Sequence, residues 1–270
     1  MEDHDGTQSE MMEEMCLVVD GQDNMTRTLS KFDCHHLDGH RHRAFSVLLF
    51  DSKGRLLVQR RSSEKITFPG VWGNTCCSHP LNIKGENGDA VSGVINAAKR
   101  KLEHELGIPT ISTDSWDFHH IGILEYACRW DEKWIEREMD HILIVEGDAE
   151  ITPNENEIAA VRWMYPADVE KMMEGEGEWG EENVAPWFRL IWQHFIEPNG
   201  VDANTLANSI FEDIIFCGEV DLNGLPIKPG YNLLDALSVQ REQVEKEIMT
   251  SLSKMRQERL HGAMTHLFKG

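Results

Sequence analysis

The chain is 270 residues long and carries 26 Lys and Arg against 47 Asp and Glu, a formal net charge of −21. That balance disfavours a broad nucleic-acid surface and electrostatic attachment to anionic membranes. With 40% hydrophobic residues there is enough for a core, yet no apolar run approaches the ~18 residues of a membrane span.

Residues 1–14, MEDHDGTQSEMMEE, are acidic, lack an apolar stretch behind a basic start, and read as disordered rather than as a signal or transit peptide. MCLVVDGQDN, from Met15, is a strand entering a turn, and residues 43–61 read as a hairpin around Asp-Ser-Lys-Gly. Residues 68–81 follow as an irregular loop. Over 89–106 the apolar residues Val91, Val94, Ile95, Ala98, Leu102 and Leu106 recur at helical spacing until Gly107 and Pro109 stop the helix. Strands are expected at 118–130, 139–147 and 158–165, a short helix after Pro166, and an amphipathic helix over 185–196 with Pro186 near its start. Gly and Pro mark 198–232 as a linker, and 233–270 reads as a helical extension. The result is an α/β (α+β) domain over 15–197 with a helical tail. Six scattered cysteines fit free thiols in the cytoplasm, with organelle import left open.

Four segments carry candidate chemistry. CHHLDGHRH places Cys34, His35, His36, His40 and His42 on a polar loop before a strand. Imidazoles bind divalent metals and titrate near neutral pH, so the run is either part of a metal site or solvent-facing filler. In FPGVWGNTCCSHPL an extended backbone puts Cys77 beside His79 on one side, whereas an irregular loop removes that constraint and leaves a buried turn. Cys76 faces the other way and reads as a small buried hydrophobe. In WIEREMDHIL, Glu136 and Glu138 share one face of a strand entrance, where two carboxylates either hold a cation or form a charged solvent face. In AAKRKLEHELGI, Arg100, Lys101, Glu103 and Glu105 close the 89–106 helix. Histidine-rich loops together with paired carboxylates favour a metal site of mixed nitrogen and oxygen ligands.

That helix end resembles the Nudix box, whose Arg-Glu-x2-Glu-Glu-x-Gly core holds Mg²⁺ against a diphosphate. Lys101 and His104 stand where the core has Glu, Ser92 stands at its upstream Glu position, and Glu105 is kept. Residues 15–197 as a whole resemble the type 1 isopentenyl-diphosphate Δ-isomerases: HRAFSVLLF, KITFPGVWGNTCCSHPL, AAKRKLEHELGIP, Glu136-x-Glu138 and PWF at 186–188 occur in family order. The resemblance implies a Nudix-like α/β/α sandwich with a mixed sheet. It also implies a site, residue by residue. The family's metal ligands, three His and two Glu, fall on His35, His42, His79, Glu136 and Glu138, the step to His42 selecting His35 over His36. They would hold a divalent metal, Mg²⁺, Mn²⁺ or Zn²⁺. The essential cysteine falls on Cys77, the second acid/base residue on Glu138 and the assisting tyrosine on Tyr126. Glu105 is implied as the ligand of the substrate's Mg²⁺. The diphosphate-facing groups fall on Lys31, Arg61, Lys65 and Ser78, with Lys101 where many members have Arg, and Trp187 falls over the hydrocarbon end.

The implied reaction interconverts isopentenyl and dimethylallyl diphosphate, a small-molecule substrate pair of isoprenoid biosynthesis. Two other readings compete: a Nudix pyrophosphohydrolase, disfavoured by Ser92, Lys101 and His104, and a non-catalytic zinc-binding module. The tail weakly resembles the opening helices of a trans-prenyltransferase, implying fusion to or association with a prenyl diphosphate synthase. The plain alternative is an amphipathic helix that packs on the domain or dimerises. No Asp-Asp-x-x-Asp motif is present, so the chain itself lacks what condensation of prenyl diphosphates requires.

Overall fold

The computed structural model describes residues 5–176, 179, 183–200 and 202–227. The tail expected to be helical, 233–270, lies outside the described residues, and so does its resemblance to a prenyltransferase.

Residues expected to be disordered form a helix, α1 (Gly6–Met11). The Asp5 side chain caps it, accepting from the backbone N–H of Thr7 and Gln8. Gln8 is buried, and Met12 just beyond the helix joins the main core. An acidic segment with little apolar content gains order here from tertiary contacts that its composition does not reveal. Strands β1 (Met15–Val19) and β2 (Met25–Ser30) pair antiparallel, and Ser30 caps a short helix, α2 (Lys31–His35). The histidine run is therefore a loop only over 36–41: Cys34 and His35 occupy the last turn of α2, and His42 opens the next strand.

That strand, β3 (His42–Phe50), is buried throughout. It runs parallel to β8 (Ile135–Glu146), with His42 beside Glu138 and Phe50 beside Glu146. A strand covered on both faces needs a nearly continuous apolar run rather than an alternation, which RAFSVLLF provides. The expected hairpin exists only at its turn. Asp51 closes the turn by accepting from Lys53 and Arg55, but β4 (Leu56–Arg61) meets β3 only at Phe50–Leu56 and then pairs with β9 (Ile158–Met164). The two strands are held apart by the loop that follows them. Within it, β5 (Trp72–Gly73) pairs with β4, and β6 (Cys76–Ser78) pairs with β3. Asn74 donates to the Val47 carbonyl at 3.2 Å, and Thr75 Oγ1 donates to that of Leu57 at 2.6 Å, which stitches the wedge to both sides.

Helix α3 (Ala90–Leu106) is capped by Asp89 and ends at Gly107, whose φ of 68° is left-handed. Its apolar stripe, Val94, Ala98, Leu102 and Leu106, packs with Phe45, Val47 and Leu49 of β3 and Leu143 and Val145 of β8. After a short α4 (Thr110–Thr113), β7 (Phe118–Arg129) pairs antiparallel with β8. The opposite face of the sheet, including Leu48, Phe50, Tyr126 and Ile142, is covered by α5 (Pro166–Glu174), α6 (Pro186–Ile191) and the π-helical turn Trp192–Ile196 that continues α6.

The chain from 198 to 227 is not a linker. It forms α7 (Ala203–Ala207) and β10 (Ile215–Val220), and β10 adds a parallel edge strand to β7. Leu206 and Val220 are fully buried, so the domain extends well past 197. The mixed sheet runs β10-β7-β8-β3-β1-β2, with helices on both faces, an α/β/α sandwich. Among the described residues no helix is long and apolar enough to cross a membrane.

Candidate active site

The sheet brings three strands into one row. His42 on β3 is the register neighbour of Glu138 on β8, and Tyr126 on β7 is its neighbour on the other side. Alternation along β8 puts Glu136, Glu138 and Asp140 on one face. The wedge adds Cys77 opposite Ser46, followed by His79. Arg100 of α3 holds that segment: its guanidinium reaches the His79 carbonyl at 3.2 Å and pairs with Glu86 at 2.7 Å. Helix α2 turns His35 in from below.

His35, His42, His79 and Glu138 each offer a ligand atom within 4.8 Å of the others, and all four side chains are buried. His35 Nδ1 donates to the Lys31 carbonyl at 2.7 Å and His42 Nδ1 donates to that of His40 at 2.7 Å, a tautomer set by the acceptors. Both Nε2 lone pairs therefore face inward. His35 Nε2 meets Glu136 Oε2 at 2.9 Å, His79 Nε2 meets Glu138 Oε1 at 2.8 Å, and His42 Nε2 is buried with no hydrogen-bond partner. An inward lone pair with no donor, among carboxylates, is what a divalent cation satisfies. Burial, then the neighbouring His35, holds His42 at about 3, and burial with His42 and His35 pushes His79 well below its ordinary value. Neutral imidazoles are the ligating form. The residues present fit a divalent metal. Glu136 stands one step outside the tightest group, held by His35 and by Thr67 Oγ1 at 2.7 Å.

The cluster floors a cleft that opens to solvent. Its walls carry Cys77, Ser78, Tyr126 and Trp187, and its basic groups are Lys31, Arg61 and Lys65. Tyr126 Oη donates to Glu138 Oε2 at 2.7 Å. Burial, then Glu136 and Asp140, raises Glu138 well above the usual carboxylate range. Burial, then Glu138 and Asp140, does the same to the Cys77 thiol. Arg61 is anchored to the backbone carbonyls of Phe68 and Thr67 at 2.9 and 2.8 Å and lies 5.5 Å from the Trp187 ring, whose edge Phe68 also meets.

Two expected site residues lie elsewhere. Lys101 does not reach the cleft wall: its ammonium is buried against Glu105 at 3.0 Å and Glu157 at 3.8 Å, because its position on α3 faces the sheet. Glu105 is beside it, accepting from Cys76 Sγ at 3.6 Å. His36 stacks on Phe32 at 4.7 Å, away from the cluster. Four residues escaped the sequence reading: Thr67, Asp140, Ser46, which donates to Asp140 at 2.8 Å, and Glu157, which pairs with Lys65 at 2.7 Å. Asp140 had a signal, since it continues the Glu136–Glu138 alternation. Glu157 had none, being far from every motif in the chain.

A NUDIX domain matches residues 40–188. The chain is 42% identical over 202 residues to "Isopentenyl-diphosphate delta-isomerase" of Schizosaccharomyces pombe, covering 72% of this chain and 86% of that protein. The chain belongs to the isopentenyl-diphosphate Δ-isomerases of the Nudix superfamily. Isomerases so named from Phaffia rhodozyma, 43% identical with 73% and 80% of the two chains covered, and from Dictyostelium discoideum, 41% with 75% and 88%, agree. As an isomerase of this family, the chain keeps the Nudix helix while its core carries Lys101 and His104 in place of two glutamates.

Proposed function

We infer that this protein interconverts isopentenyl diphosphate and dimethylallyl diphosphate, by adding a proton to the terminal alkene carbon and removing another from C2. The observation that carries the reading is Glu138, one carboxylate shared by the imidazole cluster, the Tyr126 hydroxyl and the cleft that holds Cys77.

An alkene is a very weak base, and its protonation leaves a tertiary cation that water would capture. The acid and base therefore have to work in a dry pocket. Cys77 and Glu138 divide the two proton transfers. Burial and the adjacent carboxyls raise the Tyr126 phenol well above its ordinary value, so it stays protonated and steadies Glu138 as a donor. Trp187, which lines the cleft with Phe68 packed edge-on behind it, offers an apolar wall, and its face is worth about 0.5–2 kcal/mol to a nearby cation. Lys31, Arg61 and Lys65 hold the diphosphate, binding energy realised far from the reacting carbons.

His35, His42, His79, Glu136 and Glu138 would hold the divalent metal, and its charge would orient Glu138 and tune its acidity. Three imidazoles suit Zn²⁺ better than Mg²⁺. Glu105, buried against Lys101 and outside the lining of the cleft, makes by itself an incomplete Mg²⁺ site. That single carboxylate also speaks against a hydrolase, which collects several to activate water.

Incubating the protein with isopentenyl diphosphate and Mg²⁺ tests the reading. Dimethylallyl diphosphate is the expected product, and treatment with a strong chelator abolishes its formation. Phosphate release without the isomer would sink it.

A further inference from the structure

Glu157 stands immediately before β9, with its side chain 1% exposed. Burying a carboxylate costs several kcal/mol unless it is fully paired. Both of its oxygens are engaged. Oε2 lies 2.7 Å from Lys65 Nζ and 3.8 Å from Lys101 Nζ, but Lys101 has a closer partner in Glu105. Among the described residues Glu157 is the one carboxylate that pairs with Lys65. Oε1 accepts from Gln8 Nε2 at 2.9 Å. That amide is itself fixed: the same nitrogen reaches Asn156 Oδ1 at 2.7 Å, and Asn156 Nδ2 donates to Asp5, the cap of α1, at 2.9 Å. A chain of contacts thus runs from the N-terminal helix through Gln8 and Glu157 to an ammonium that lines the cleft.

Lysine has a flexible four-carbon stem, and an ammonium fixed before the ligand arrives spares the entropy of fixing it afterwards. We propose that Glu157 is the positioning residue for Lys65, and that Gln8 on α1 holds Glu157 so that the ammonium is presented, charged, to the substrate's diphosphate. The proposal rests on Lys65 binding that group. Gln8 suits the second role because a neutral amide orients the carboxylate without competing for its charge. Electrostatics agree: burial pulls Lys65 down to about 8 even with Glu157 opposing the fall.

Steady-state kinetics of the full chain with isopentenyl diphosphate test this through Lys65→Ala, Glu157→Gln, Gln8→Ala and the double variant Lys65→Ala/Glu157→Gln. Lys65→Ala is expected to raise KM about tenfold or more, the loss of one charge-assisted contact. Glu157→Gln raises KM by about tenfold while kcat falls less than about threefold. Gln8→Ala raises KM in the same direction by a smaller factor. On top of Lys65→Ala, Glu157→Gln adds less than about twofold, because both act through one ammonium. If Lys65→Ala raises KM and Glu157→Gln does not, or if the two effects multiply, the proposal is overturned and the role of Lys65 stands. If Lys65→Ala leaves KM unchanged, the role of Lys65 falls and takes the proposal with it. Should Glu157→Gln lose its cooperative thermal transition, Gln8→Ala decides alone, and an unchanged KM overturns the proposal.

Discussion

Tyr126 donates to Glu138 at 2.7 Å, and both side chains are buried from water. Replacing Tyr126 by Phe removes one hydrogen bond to a carboxyl. It is expected to lower kcat by about one to two orders of magnitude and to lower the melting temperature, since a buried carboxyl oxygen loses its donor. In the proposed mechanism Cys77→Ala and Glu138→Gln strike the proton transfers themselves, and each is expected to cost about 10²–10⁴ in kcat. Normal turnover by either variant would remove it from the acid/base pair. If Lys65 holds the diphosphate as proposed, it sets an upper pH limit for binding. Its value of about 8 means that the ammonium is charged below that pH and neutral above it. KM for isopentenyl diphosphate therefore rises as pH climbs through about 8, and in Lys65→Ala that limb of the pH profile disappears.

Elements place these groups by simple geometry. The period of two along β8 aligns Glu136, Glu138 and Asp140, and a shift of one residue would send all three to the α3 face. The loop of 68–81 acts as a wedge, prising β4 from β3 and lending β3 a partner that carries Cys77. Helix α3 has to stop where it does, because Gly107 turns left-handed against the Thr152 carbonyl. A Cβ at Gly107 would come within 2.7 Å of that oxygen. Gly107→Ala is accordingly expected to destabilise the fold by more than about 1 kcal/mol, read as a lower denaturant midpoint with an unchanged m-value.

At the scale of the whole molecule, the catalytic sheet depends on chain segments at both ends. Strand β10 pairs with β7 from Ile215–Leu124 to Val220–Cys128, the stretch that contains Tyr126. Truncation after Glu197 would leave that edge unpaired and remove the buried Leu206, Val220 and Leu222. The shortened chain is expected to melt at lower temperature and to aggregate, as an exposed apolar strand edge does. A chain truncated there with an unchanged melting temperature would show that β10 is dispensable.

Much was legible in the sequence because it is written locally. The helix of α3 shows in its apolar spacing and its Gly107 stop, β3 in its unbroken apolar run, and the candidate site residues in motifs that keep family order. The names His35, His42, His79, Glu136, Glu138 and Cys77 were readable in this way. Their convergence was not, because it depends on which distant strands pair and in what register: β3 with β8, β6 inserted beside β3, β7 beside β8. The same reason hid α1, the fate of Lys101 and the role of 203–220. A weakly amphipathic segment has no local signal strong enough to order it, so only the surface it meets decides. Glu157 is the plainest case: its contacts are Gln8, Lys65 and Lys101, three residues scattered along the chain, and only the folded protein puts them around one carboxylate.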